Sequence, residues 1–150
     1  MSAADSSSGS ERPIAAGKLH HVGLSVADLD AAEDFYRRAT GYEVYFRTAF
    51  GPLRVTMGAL PDGSRLELLE RADSARGAQG LPPDEALLTR GWAHIALEVE
   101  DLDGAYERLL AAGAEAVWPP RRSPEPGISM AFAHDPEGNL IELIAQDGGR

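Results

Sequence analysis

His94-Ile-Ala-Leu-Glu-Val-Glu-Asp-Leu-Asp-Gly-Ala, residues 94–105, restates His21-Val-Gly-Leu-Ser-Val-Ala-Asp-Leu-Asp-Ala-Ala, residues 21–32, with seven of twelve positions identical at an offset of 73. Two unrelated strand-to-helix passages would share far less, so the chain holds an internal repeat. A second echo closes each half. Pro61-Asp-Gly-Ser-Arg-Leu-Glu-Leu-Leu is matched by Pro136-Glu-Gly-Asn-Leu-Ile-Glu-Leu-Ile at an offset of 75. Each half therefore runs from a His to a Glu.

Working outward, both halves read as βαβββ. Alternation from Leu19 to Val26 sets Val22, Leu24 and Val26 on one strand face and His21, Gly23 and Ser25 on the other. Asp28 can cap a helix whose apolar positions Leu29, Ala32, Phe35, Tyr36 and Ala39 follow the helical period up to Gly41. Strands are expected at 42–47 and 53–59 around the Gly51-Pro52 turn, then from Arg65 to Glu70. The second half repeats this with a strand at 92–99, a helix from Asp101 to Gly113, and strands at 114–118, 128–133 and 140–145. The domain is thus expected at 18–146, as modules 19–70 and 91–145 joined by a linker at 71–90. That linker, rich in Gly and Pro, and the Pro-rich stretch 119–127 are candidate lids. Residues 1–17 and 147–150 read as tails, the first rich in Ser, Ala and Gly without the apolar run of a signal peptide. The fold class is α+β: two tandem βαβββ modules forming a curved mixed sheet, a cup, with helices on its outer face.

Bulk properties narrow the function. A net charge of −10 with no Lys/Arg run argues against nucleic acid. No stretch approaches the roughly 18 apolar residues of a membrane span, and a cytoplasmic protein is expected. With no cysteine, any metal must be held by His, carboxylate or water. The two edge strands of an open cup need covering, which predicts a homodimer.

The repeat gives the chemistry. Val22/Leu24, Leu66/Leu68, Ile95/Leu97 and Ile141/Leu143 face the core, so His21, Glu67, His94 and Glu142 point the other way and can converge in the cup. Taken singly, such residues are commonly surface or hydrogen-bonded groups; at matching repeat positions they form a His-Glu-His-Glu set. Those donors suit Ni, Zn, Co, Mn or Fe(II), and the two carboxylates balance a dication. Four ligands in an octahedral field leave two adjacent positions for a chelating small-molecule substrate and favour an enediolate formed by proton transfer beside a carbonyl. His20, which aligns with Ala93, and His134, next to a turn, read as structural or exposed. Arg54 and Arg121, with Arg71 and Arg122, are candidates for an anionic substrate group, and Trp92 and Phe132 for its walls.

These residues resemble the vicinal-oxygen-chelate superfamily, which includes glyoxalase I, methylmalonyl-CoA epimerase, extradiol dioxygenases, and fosfomycin and bleomycin resistance proteins. The likeness spans about residues 19–145, carried by His21-Val-Gly-Leu-Ser-Val, Phe35-Tyr36, Gly91-Trp-Ala-His94 and Asp135-Pro-Glu-Gly-Asn-Leu-Ile-Glu142. The resemblance implies metal ligands at His21, Glu67, His94 and Glu142, a glyoxalase I-like isomerase or lyase, and Glu142, or else Glu67, as general base. Alternatives it leaves are an Fe(II) extradiol-type dioxygenase, a methylmalonyl-CoA epimerase-like enzyme and an antibiotic-binding protein. Glu67 counts against the three-ligand members, and epimerases usually carry Gln there. Ser25 stands where bacterial glyoxalase I usually carries an Arg that helps bind glutathione, which counts against a glutathione adduct.

Overall fold

Each half begins with a short strand stopped by an aspartate. β1 (Val22–Val26) gives way at Asp28, whose carboxylate accepts from Ala31 N–H, to α1 (Leu29–Thr40); β5 (His94–Glu98) gives way at Asp101, which accepts from Gly104 N–H, to α3 (Leu102–Ala111). Gly41, at φ 73°, closes α1 in the left-handed conformation that a β-carbon disfavours. The structure, a computed structural model, describes residues 18–77 and 79–147; the tail expected at 1–17 and the last three residues lie outside them. The remaining elements are β2 (Glu43–Phe50), β3 (Leu53–Ala59), β4 (Arg65–Arg71), a single turn α2 (Pro83–Ala86), β6 (Glu115–Arg122), β7 (Ile128–His134) and β8 (Leu140–Gln146).

The strands form two mixed four-stranded sheets, ordered β1-β4-β3-β2 and β5-β8-β7-β6. β1 runs parallel to β4, with Gly23 opposite Glu67, and β5 runs parallel to β8, with Ala96 opposite Glu142. The sheets thus repeat each other, and β1 and β5 are edge strands. One apolar core joins the modules: Leu66 and Leu68 with Leu29, Phe35 and Tyr36, continuous with Tyr106, Leu109, Ala131, Ala133, Ile141 and Leu143. Tyr42, 1% exposed, lies across Gly58, where a β-carbon would collide with its ring and with the Glu43 carbonyl.

A polar latch fixes one module on the other. The Tyr36 hydroxyl donates to Asp135 Oδ2 at 2.9 Å, across 99 residues of chain. Asp135, 3% exposed, also accepts from the Glu137 and Asn139 amides and from Asn139 Nδ2. Glu137 in turn accepts from Ala27 N–H and Asp28 N–H, so a carboxylate from the second module sits at the N-terminal end of α1. Burial first, and the negative Asp135 second, push the Tyr36 phenol well above the ordinary tyrosine range.

Among the boundaries that differ from expectation, three have a clear physical reason. β6 continues through Pro119-Pro120 to Arg122; it is an edge strand with register breaks between Ala116 and Trp118 and between Trp118 and Arg121, where prolines cost no ladder bonds. β2 runs to Phe50 because the Gly51-Pro52 turn lets Phe50 pair with Leu53. Asp147, assigned to the tail by sequence, accepts from Arg122 and Ser129 side chains and donates its amide to Gly127.

Candidate functional site

The side of each sheet away from the helices carries the predicted residues. His21, just ahead of β1, places Nε2 3.5 Å from Glu67 Oε2. His94, first in β5, places Nε2 3.1 Å from Glu142 Oε2. The pairs match in exposure as well: 35% and 23% for the first, 36% and 16% for the second. Gly23 leaves room for Glu67, since a β-carbon there would come 3.3 Å from Glu67 Oε2. The sequence allows all four to converge within one chain or across two; by itself the chain does not bring them together. Among the described residues no three His, Asp or Glu side chains gather into a group able to hold a metal, so the pairs stand apart. The latch and shared core fix the modules in this relation.

Each histidine has a second contact. Phe132 meets His94 edge-on at 5.4 Å between centroids, Trp118 meets Phe132 likewise at 5.5 Å, and the Arg121 guanidinium stacks over Trp118 at 5.1 Å. His20 Nδ1 lies 2.8 Å from His21 Nδ1, and its Nε2 accepts from Arg65 Nη1. His20 therefore touches a predicted ligand, a contact that its place in the strand alternation did not signal.

A cleft of about 660 Å³ opens between β1 and β5, and both His21 and His94 line it. Leu24, Leu66, Ile95 and Leu140 give it an apolar wall; Gln79, Thr89, Arg90 and Trp92 come from the linker region. Of the substrate-contact residues predicted from sequence, Trp92 lines the cleft, whereas Arg54, Arg121 and Phe132 do not. Arg54 is turned toward α1, paired with Asp30 at 2.9 Å and Glu70 at 3.1 Å. Phe132 is 4% exposed, packed with Ala86, Met130 and Leu140 where α2 crosses the sheet. Arg71 and Arg122 pair with Asp73 and Asp147.

The linker is seated on the second module. Gly80 N–H donates to the Gly138 carbonyl at 2.8 Å, and His134 Nε2 donates to the Leu81 carbonyl at 2.9 Å. Gly138, at φ 89°, backs so closely on Gly80 that a β-carbon would come 2.7 Å from its nitrogen. His134 is thus a structural residue, as expected, holding the linker in place.

The sequence pattern of the Glyoxalase/Bleomycin resistance protein/Dioxygenase superfamily matches residues 18–143. The chain belongs to this superfamily. Within it, the chain is 29% identical over 137 residues to a lactoylglutathione lyase of Neisseria meningitidis, covering 88% of this chain and 93% of the relative. It is 35% identical over 136 residues to an ethylmalonyl-CoA/methylmalonyl-CoA epimerase of Cereibacter sphaeroides, covering 85% and 96%. A glyoxalase family protein of Bacillus cereus has the same fold, with a TM-score of 0.73 at 24% identity over 91% of this chain and 100% of that one. The curated relatives are enzymes by name, and the fold of two tandem βαβββ modules is the superfamily's own.

Proposed function

We propose that the protein is a divalent-metal-dependent enzyme of the glyoxalase I-like type, which moves a proton beside a carbonyl in a small substrate bound through vicinal oxygens. The observation that carries this reading is one His–Glu pair recurring at equivalent places in both modules, with N–O separations of 3.5 and 3.1 Å. Two donors at adjacent octahedral positions, each about 2.1 Å from a cation, lie about 3 Å apart. Each pair therefore fits half of a four-ligand site. Imidazole and carboxylate together suit Ni, Zn, Co, Mn or Fe(II). Such an ion, when bound, supplies Lewis-acid polarisation of the carbonyl.

The protein's own part is to position and to move the proton. His21, Glu67 and His94 hold; Glu142, the least exposed of the four at 16%, is the general base. Completion of the set is assigned to a second copy of the chain, because separating the modules would break the Tyr36–Asp135 bond and open the common core. Sheet faces uncovered in one copy support this: Phe46 and Phe50, on the side of Glu67, are 53% and 65% exposed. In such a homodimer, His21 and Glu67 of one copy meet His94 and Glu142 of the other.

Lyase and epimerase relatives share the proton-transfer step, and both substrate types are tested by one readout. The protein is incubated in D2O with each dication and either the glutathione hemithioacetal of methylglyoxal or methylmalonyl-CoA. Deuterium should enter at the carbon beside the carbonyl with one of them and stop on chelation. Uptake that persists without metal, or none with any dication, would sink the reading.

A further inference from the structure

Arg65, His20, His21 and Glu67 follow one another in a single run of contacts at the first His–Glu pair. Arg65 Nη1 meets His20 Nε2, His20 Nδ1 lies 2.8 Å from His21 Nδ1, and His21 Nε2 lies 3.5 Å from Glu67 Oε2. Donor and acceptor roles along this run are set by its first member. A guanidinium only donates, so His20 Nε2 accepts and carries no proton. Neutral His20 therefore bears its proton on Nδ1 and donates it to His21 Nδ1. The proton of the neutral His21 ring is then left on Nε2, the nitrogen that faces Glu67. A cation held between His21 and Glu67 needs that nitrogen bare. The second half cannot build the same run, because Ala93 and Leu140 stand at the repeat positions of His20 and Arg65, and the Phe132 ring meets His94 instead.

We propose that Arg65 and His20 form a lock on the first His–Glu pair, holding the His21 proton on Nε2 so that an ion enters only when Arg65 lets go of His20. With Arg65 released, His20 carries its proton on Nε2, and its bare Nδ1 accepts from His21 Nδ1–H. His21 then offers a bare Nε2 while its other nitrogen is held by a hydrogen bond, the usual arrangement of a metal-ligating histidine. The exchange balances. One proton leaves His21 Nε2, one crosses from His20 Nδ1 to His21 Nδ1, and one is taken up on His20 Nε2, so both rings stay neutral. Arg65 and His20 are exposed, and water can replace the contact that opens. His20 is thus a positioning residue, a barrier before loading and a support after it. The inference rests on the function proposed above for the ion, but the order of protons in the metal-free chain stands apart from it.

The test begins with the full-length protein stripped of metal, in which long-range proton–nitrogen NMR reads the ring nitrogen that bears each proton. His20 should carry its proton on Nδ1 and His21 on Nε2. Zinc affinity is then measured by competition with a chromogenic chelator for wild type, Arg65→Met, which keeps the stem without a donor, and Arg65→Lys, which keeps a donor without an acceptor. Arg65→Met should bind zinc about tenfold more tightly, the lower end of what a contact behind a metal ligand contributes, with thermal unfolding matching wild type. Arg65→Lys should stay nearer wild type. The gain should persist at about 1 M salt, where screening over about 3 Å removes simple repulsion between Arg65 and the ion. A proton on His20 Nε2 in the metal-free wild type, an Arg65→Met variant that binds zinc no more tightly, or a gain that salt abolishes overturns the proposal. No zinc bound by any of the three proteins, with the protons placed as stated, overturns the metal-dependent reading and leaves the proton order in force.

Discussion

Glu142 tests the division between holding and reacting. Glu142→Gln keeps a carbonyl oxygen for ligation and removes the basic carboxylate, so metal content should survive better than turnover. Deuterium uptake at the substrate carbon should fall by about a hundredfold or more, the usual scale of a general base. Uptake at the wild-type rate would remove Glu142 from that role. The two His–Glu pairs were legible in the sequence because the repeat wrote the pattern twice, on the polar side of a strand whose alternation is clear. The course of the linker was not, because it is an aperiodic segment whose path depends on two long-range contacts, Gly80 with Gly138 and Leu81 with His134, and no local pattern encodes those. Arg54 misled for the related reason that a strand arginine reads alike on either face until its register is known; opposite Glu70 rather than Glu67, it serves α1.

Elements show where packing overrides composition. Pro119-Pro120 argues against a strand, yet β6 carries both, because an edge position and two register breaks leave their missing N–H groups without a ladder bond to lose. Tyr42 over Gly58 is the tightest joint of the first module. Gly58→Ala should cost about 1–3 kcal/mol, read as a lowered denaturation midpoint, since the buried Tyr42 ring and the Glu43 carbonyl already occupy the place of the new β-carbon. An unchanged midpoint would mean that β3 can shift. The latch carries a pH signature. The folded Tyr36 pKa lies well above the unfolded value of about 10, so its contribution is complete below that pH and is lost as pH climbs from there toward the folded value. Wild type should therefore lose stability faster above pH 10 than Tyr36→Phe, which has no proton to give up there; parallel profiles would contradict the latch.

At the scale of the whole molecule, the sequence revealed two modules but not their relation. Which edges pair, and whether the cup closes within one chain, depends on contacts such as Tyr36 with Asp135 that join residues 99 positions apart. The chain alone holds two separate His–Glu pairs, and the proposed four-ligand site requires two copies to unite them. One measurement reaches that claim directly: the metal content of wild type, His21→Ala, His94→Ala, and a co-refolded equal mixture of the two variants, each loaded with the same dication. About one ion per chain is expected in wild type and almost none in either variant. The mixture should recover about a quarter of the wild-type content, because half the dimers pair unlike chains and each such dimer rebuilds one of its two sites. Metal content indifferent to both substitutions would contradict the site itself, and a mixture as empty as its components would contradict its assembly from two chains.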